Sequence, residues 1–443
     1  MLTDGHGPNA RVISTEQWDM LACADGTRTF DGILLAAAGN RVYTRASAFQ
    51  QLLDDMNEAG LLDEGLESLA MARPAQAPPT PHDRPLLLLP GFSLTCDGIG
   101  HCCSVYPTIS FTELESARAR SLRPQVLQGG SRAWQAFTPF GGVRDNKTLA
   151  VTFVEGNCAY LDSAGSCSLH ALAGPQAKPG GCRRFPLTAF DDGEHVRVST
   201  RLECACVLAS VGKPGGTPLA PEEARVYDDL GFEADPVPDP VRVTYTAVAP
   251  RSQIVEWSNA ALIAVDRHAD GAASSWSLAA SLAADGPSTA PNRDDFPVAP
   301  PAPEAVVPWL AALALRIHNA LESEQHWRAT RDRARRGLRL VLGATRRLME
   351  PAALELALDP SAAHADERFY LRAAVFGHHL TTGTLAVSLQ DRAVRTVIAR
   401  ALQPLLVKDG ALADAAHPLA LVDQVIRGAG LGGYTSEATR PRE

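Results

Sequence analysis

The sequence predicts an α+β protein in three parts, and three observations predict it. Eight of the nine cysteines fall between residues 96 and 206, in a stretch rich in turn formers. Capping and turn signals before residue 70 mark three short helices followed by the start of a strand. Beyond residue 305, apolar residues recur at helical spacing. The expected organisation is a small N-terminal module at 10–70 and a Pro/Ala linker at 71–84. A loop-rich, cysteine-bearing domain with few strands follows at 85–215, then a connector with a flexible loop at 216–304 and a helical C-terminal domain at 305–433.

Each element has its own signal. Residues 1 to about 10 carry no pattern and are expected to be disordered. Ser14-Thr15-Glu16-Gln17 has the form of a capping box opening a helix over 15–23. Asp25-Gly26-Thr27-Arg28-Thr29 is a turn. A second helix is predicted over 30–38 and a third over 47–59, with Leu52, Leu53 and Met56 on its inner side. Gly60 stands where a helix ends in positive φ, and Leu61-Leu62 enters a strand. Within 85–215, strands are predicted at 149–154 and 196–200. A helix begins after Thr112, with Glu115 at capping-box spacing. Pro/Gly-rich stretches at 212–222 and 233–241, and a Pro-rich run at 283–304, read as connecting chain. Leu310, Leu313, Ile317 and Leu321 share one helical face, as do Leu338, Val341, Leu342 and Thr345. Further helices are predicted at 369–380 and 389–402, and residues 434–443 form a polar tail.

Composition narrows the functional classes. Apolar residues make up 45% and charged residues 21% of the 443, with a formal net charge of -9. That balance argues against wholesale nucleic-acid binding. No apolar run has the length of a membrane span, and the longest, 306–315, contains Pro308. The first residues lack a basic stretch followed by an apolar core, so no signal peptide is expected and the predicted location is cytoplasmic. In a reducing compartment, clustered cysteines serve as metal ligands or catalytic groups more often than as disulfides.

The candidate metal ligands are Cys96, Cys102, Cys103, Cys158, Cys167, Cys182, Cys204 and Cys206. Thiolate sulfur is a soft donor that suits zinc, Cu(I) and iron–sulfur clusters. A tetrahedral zinc or one cubane cluster takes four cysteines, so eight candidates supply two sites or one site with spares. Metal binding would also tie together loops that lack a large apolar core. A repeated CxxC, a CxxxCxxC triad and the bacterial ferredoxin run are all absent. Spacing alone therefore stops at a cysteine-rich metal site, with small buried apolar cysteines as the alternative.

The residues around these cysteines carry a resemblance. The opening run is Phe92-Ser93-Leu94-Thr95-Cys96, then Ile99-Gly100-His101-Cys102-Cys103. It is followed by Asn157-Cys158, Leu161-Asp162, Cys167-Ser168-Leu169-His170 and Cys182-Arg183-Arg184-Phe185-Pro186. Order and spacing resemble the YkgJ-type cysteine-cluster proteins, a zinc- or iron-chelating family often described as iron–sulfur. The resemblance covers about residues 90–210 and implies a site drawing on Cys96, Cys102, Cys103, Cys158, Cys167, Cys182 and one of Cys204 and Cys206. Ile99 stands where the family has a cysteine, which removes one ligand. His101 is adjacent to the gap, and His170 stands where the family often has Tyr. The stretch from Cys167 to Pro186, followed by a helical half, also resembles the FliB flagellin lysine N-methylases. That likeness implies methyl transfer from S-adenosylmethionine to a protein lysine.

The N-terminal module has a resemblance of its own. Trp18-Asp19-Met20-Leu21, the turn at 25–29 running into Ile33, and the helix ending Ala59-Gly60-Leu61-Leu62 resemble PqqD-like winged-helix modules. The implied partner is a protein or peptide substrate added to a strand edge. A small helical cap is the other reading of these residues. DNA binding is not expected, because the helix at 47–59 carries Asp54, Asp55 and Glu58 and no basic residue. The eight arginines between 328 and 347 read as a solvated helix face. His378-His379 reads as a core or boundary pair rather than a ligand pair. Three functions follow from the sequence: a protein- or peptide-modifying enzyme, a non-catalytic metal-binding protein, and a peptide-binding adaptor with a structural metal.

Overall fold

A computed structural model of the chain describes residues 2–3, 10–11, 51–53, 80–96, 109–122, 137–139, 148–151, 153–154, 157–162, 166–288, 291, 296–322, 332–378, 383–409, 417–428 and 431. The chain divides into two compact units, Met1–Pro79 and Thr80–Glu443.

In the first unit, β1 (Leu2–Thr3) pairs antiparallel with β2 (Ala10–Arg11). The expectation of disorder over residues 1–10 is thus corrected at these positions. The turn formers Gly5, Gly7, Pro8 and Asn9 lie between the paired segments in the sequence. Gln51, Leu52 and Leu53 are helical, and Leu52 and Leu53 are buried, as their predicted inner face requires. Cys23, Met56 and most of the module's predicted elements lie outside the described residues.

The second unit opens with β3 (Leu86–Leu88) and β4 (Ser110–Thr112). Helix α1 (Glu113–Ser121) begins at the predicted capping box. Glu115 N–H donates to Thr112 Oγ1 at 3.2 Å, and Thr112 N–H donates to Glu115 Oε2 at 2.9 Å. A cap of this kind stabilises a helix by about 1 kcal/mol. Strands β5 (Phe137–Pro139) and β6 (Thr148–Val151) complete a three-stranded antiparallel sheet with β4, and β7 (Phe153–Val154) pairs with β8 (Asn157–Cys158). Three short helices carry cysteines inside or at their edges: α2 (Ser168–Ala173), α3 (Gly180–Arg184) and, after two strands, α4 (Ala205–Ala209).

Those two strands are β9 (Leu187–Asp191) and β10 (Val196–Thr200). β10 lies at its predicted position and is buried along its whole length, so both faces are covered. With β11 (Asp235–Pro236) they form a sheet of order β11-β9-β10-β3. β10 runs antiparallel to β9 and parallel to β3. A two-stranded ribbon, β12 (Val241–Arg242) with β13 (Val248–Ala249), follows.

The region expected to be a connector requires a correction. It holds two long helices, α5 (Arg251–Arg267) and α6 (Gly271–Asp285), and α6 extends into the predicted loop at 283–304. The buried positions of α6 are mostly small: Ala272, Ala273, Ser274, Ser275, Leu278, Ala279 and Leu282. Such a face carries little hydrophobic contrast, so periodicity does not reveal it. It lets α6 pack closely on a later helix, and Ser275 Oγ donates to the Leu389 carbonyl at 2.7 Å.

Among the described residues, the α-helices beyond 300 are α7 (Pro303–Glu322), α8 (Asp332–Arg347), α9 (Pro351–Leu358), α10 (Ala365–Phe376), α11 (Leu385–Asp409) and α12 (Pro418–Gly428). Leu310, Leu313 and Ile317 of α7 are buried, and so are Leu338, Val341 and Thr345 of α8. Arg336, Arg339, Arg346 and Arg347 are exposed, which makes α8 an amphipathic helix with a solvated basic face. α10 starts four residues before the predicted 369 and stops at Phe376, because Gly377 and His378 turn the chain. His378 has φ 47°, in the left-handed region. It is buried, as a core histidine.

One apolar core runs from Leu89 and Val198 of the sheet region through Trp257, Leu310 and Val341 to Leu431. The sheet and the helices are therefore two layers around one core, and the boundary near residue 215 does not separate cores. A second, smaller core gathers Phe111, Val151, Cys158, Tyr160, Leu161 and Leu169. Among the described residues, no helix is long and apolar enough to cross a membrane.

Candidate metal centre

Sheet register sets chain segments that carry distant cysteines at one end of a sheet. Leu187 is opposite Thr200, and Leu88 is opposite Val198 in parallel. The start of β9 and the ends of β10 and β3 therefore share one end of the sheet. Cys182 comes just before β9, Cys204 and Cys206 come just after β10, and Cys96 follows β3. The end is tied by Arg201 N–H donating to the Pro186 carbonyl at 2.6 Å.

Hydrogen bonds fix the chain around each of these positions. Cys204 is the N-cap of α4; its N–H donates to the Arg201 carbonyl at 3.2 Å, and its own carbonyl accepts from Val207 N–H at 3.1 Å. Ser210, the C-cap of α4, donates through Oγ to the Cys206 carbonyl at 2.6 Å. The same oxygen accepts the Thr95 N–H at 2.9 Å. Leu94 and Thr217 exchange two backbone hydrogen bonds of 2.8 Å. Thus the residue before Cys96 and the residue four after Cys206 are directly joined. Cys96 is exposed, and Cys182, Cys204 and Cys206 are half-buried.

Cys182 is held from the other side. Its helix α3 meets α1 through Glu115, whose Oε1 accepts Gly180 N–H at 2.7 Å and lies 3.8 Å from Arg183 Nη2. Burial pushes the Glu115 pKa up, and the N–H donors of Thr112 and Gly180 outweigh it, so the carboxyl stays below its ordinary value.

Cys158 and Cys167 belong to the small core. Cys158 is opposite Phe153 in the β7–β8 pair, and Cys167 bridges to Leu161. Ser168 N–H donates to the Tyr160 carbonyl at 2.8 Å, and Asp162 Oδ1 accepts Ser166 N–H at 2.8 Å. Tyr160 lies within electrostatic reach of both thiols. Its pKa is pushed up to about 12 by burial first, then by Cys158, with Arg120 opposing and Cys167 adding.

Cys102 and Cys103 lie outside the described residues, as do Ile99 and His101. His170 is exposed on α2. Among the described residues, no three Cys, His, Asp or Glu side chains gather into a metal-binding group. The fold therefore brings Cys96, Cys182, Cys204 and Cys206 to one end of a sheet and sets Cys158 and Cys167 in a neighbouring small core, without a closed shell among them.

Several residues around this end escaped sequence reasoning. Glu203, which precedes Cys204, is buried and lies 3.7 Å from Arg201 Nη1 and 3.0 Å from Arg427 Nη1. Gln424 Nε2 donates to the Glu203 carbonyl at 2.7 Å. No local motif marks these partners, because 221 residues separate them. Away from the cysteines, a cleft of about 310 Å³ opens between α10, α11 and the start of α12, lined among others by His364, Asp366, Gln403 and His417. His417 Nε2 lies 3.0 Å from Asp366 Oδ2. Comparison with protein-family models, with curated proteins and with solved structures yields no match.

Proposed function

We propose that the chain binds a metal centre through thiolates drawn from Cys96, Cys102, Cys103, Cys158, Cys167, Cys182, Cys204 and Cys206. An iron–sulfur cluster is the first choice and zinc the second. The observation that carries the reading is the sheet register, by which the chain bearing Cys182 enters, and the chain bearing Cys204, Cys206 and Cys96 leaves, the β9–β10–β3 sheet at the same end. All are soft sulfur donors, which fits either group and fits hard cations poorly. Thiolate ligation at this end would cross-link chain segments whose flanking residues Leu202, Val207 and Leu208 already belong to the large core, so the metal would add to stability as well as to function. Metal and acid-labile sulfide analysis of the full-length protein tests the reading, with cysteine-to-serine variants at 96, 182, 204 and 206 expected to lose metal.

The helical half supplies a second reading, a protein- or peptide-modifying enzyme of the S-adenosylmethionine-dependent lysine N-methylase kind. The cleft lined by His364, Asp366, Gln403 and His417 favours it, because a purely structural metal protein needs no such concavity. In this reading the winged-helix-like module at 10–70 captures the protein or peptide substrate. Incubation with S-adenosylmethionine and a lysine-containing candidate peptide should add a methyl group, detected by mass spectrometry. A metal-loaded protein that adds none, yet binds peptide through residues 10–70, would instead be a peptide-binding adaptor with a structural centre.

A further inference from the structure

The C-terminal helix α12 reaches the cysteine turn from the opposite end of the sequence. Gln424 Nε2 donates to the backbone carbonyl of Glu203 at 2.7 Å, and Arg427 Nη1 lies 3.0 Å from Glu203 Oε1. Glu203 is 4% exposed, so this carboxylate is held inside the fold between Arg201 and Arg427 rather than in solvent. The next residue is Cys204, whose carbonyl starts α4. From α4 the connection continues: the Cys206 carbonyl accepts from Ser210 Oγ, and Ser210 Oγ accepts the Thr95 N–H beside Cys96.

α12 is itself fixed to the helical layer. The residue before Gln424 is Asp423, which is buried and accepts from Arg392 Nη1 at 2.8 Å, Arg395 Nη1 at 2.7 Å and Tyr370 Oη at 2.8 Å. Burial alone would push the Asp423 pKa up; Arg392 and Arg395 hold it below the ordinary carboxylate value. Asp423 thus sets the register of α12, and Gln424 and Arg427 transmit that register to Glu203.

We propose that α12 is a brace for the Cys204–Cys206 turn: Gln424 and Arg427 are positioning residues that hold Glu203 and, through the backbone, the two thiols that follow it. The consequence for ligand geometry rests on the metal-centre reading; the consequence for the thiols themselves does not. Coupling of this kind is reciprocal, so a ligand held by Cys204 and Cys206 would in turn hold α12 down.

The test uses the full-length protein stripped of metal with EDTA, and the variants Gln424→Leu and Arg427→Met. Iodoacetamide alkylation is followed at each cysteine by peptide mass spectrometry. Loss of this part-buried hydrogen bond should raise the alkylation rate of Cys204 and Cys206 in Gln424→Leu by roughly five- to tenfold. Arg427→Met, with its half-exposed guanidinium, should give a smaller rise, and Arg427→Lys should restore most of it. Cys158 and Cys167 lie in the other core and should keep wild-type rates in all three variants. Unchanged rates at Cys204 and Cys206 would overturn the brace, and so would an equal rise at all cysteines, which signals general loosening. In metal-loaded protein, the brace predicts a shifted absorption spectrum and faster loss of metal to EDTA in Gln424→Leu. A wild-type protein that holds no metal would sink the metal-centre reading and leave the alkylation contrast standing. A metal-bound protein with unchanged alkylation would sink the brace alone.

Discussion

Arg400→Met should destabilise the protein by about 3–5 kcal/mol, the cost of leaving buried charge without its partner. Arg400 lies in α11 with a side chain 3% exposed. Its Nε donates to Glu367 Oε1 at 2.8 Å, and its Nη2 donates to Glu367 Oε2 at 2.6 Å and to Asp270 Oδ1 at 2.7 Å. Nη1 donates to the Ala357 carbonyl at 2.8 Å. Glu367 is 1% exposed and caps α10, while Asp270 caps α6 through Ala273 N–H. One guanidinium therefore ties together the starts of α6 and α10 and the end of α9. Burial works against its charge, and Glu367 and Asp270 more than offset that, so its pKa sits above the ordinary value. Methionine keeps most of the volume but leaves two buried carboxylates facing each other. Urea unfolding at pH 7.5 followed by circular dichroism, with an unchanged m-value, measures the cost. A loss below about 1 kcal/mol would refute the claim that this cluster holds the helical layer together.

Two further perturbations test the same layer. His378 has its pKa pushed down to about 4 from 6.5 by burial first, with Arg197 adding and Asp192 opposing. A histidine so depressed favours the folded state above pH 6.5, and this contribution is lost as pH falls toward 4, amounting to about 3 kcal/mol. His378→Asn, which tolerates the left-handed backbone, should flatten the stability profile over that window by a similar amount; parallel urea-midpoint profiles would refute it. Gly271→Ala would set its Cβ 2.8 Å from both Cβ and the backbone oxygen of Glu367. It should therefore cost about 1–3 kcal/mol in thermal or urea unfolding even though alanine favours helix, and a neutral or stabilising result would show that α6 and α10 separate easily.

The elements legible in the sequence were those with strong local chemistry. The Thr112–Glu115 capping box, the strand 196–200 and the faces of α7 and α8 follow from spacing alone, since caps and periodicity act within a few residues. Helices α5 and α6 were not legible, because α6 buries Ala and Ser, which contribute little to a periodic signal. The helix boundary at 376–378 depends on a left-handed histidine that no local rule demands. The candidate site was legible only as a list of thiols. Which of them share one end of the fold depends on the pairing of Leu187 with Thr200 and of Leu88 with Val198, and those are tertiary facts. The bond from Gln424 to Glu203 is more remote still: neither residue belongs to a motif, and packing of α12 on α4 creates the pair.

Whether these thiolates hold a metal is decided by metal and acid-labile sulfide analysis, with an ultraviolet–visible spectrum, on the protein purified without oxygen. Stoichiometric thiolate-bound metal is expected: iron with sulfide and broad visible absorption for a cluster, or zinc in a colourless protein. In either case serine at Cys182 or Cys204 should lower the metal content. Protein that carries neither metal, and whose cysteines at 96, 182, 204 and 206 are alkylated at equal rates before and after EDTA treatment, would contradict it.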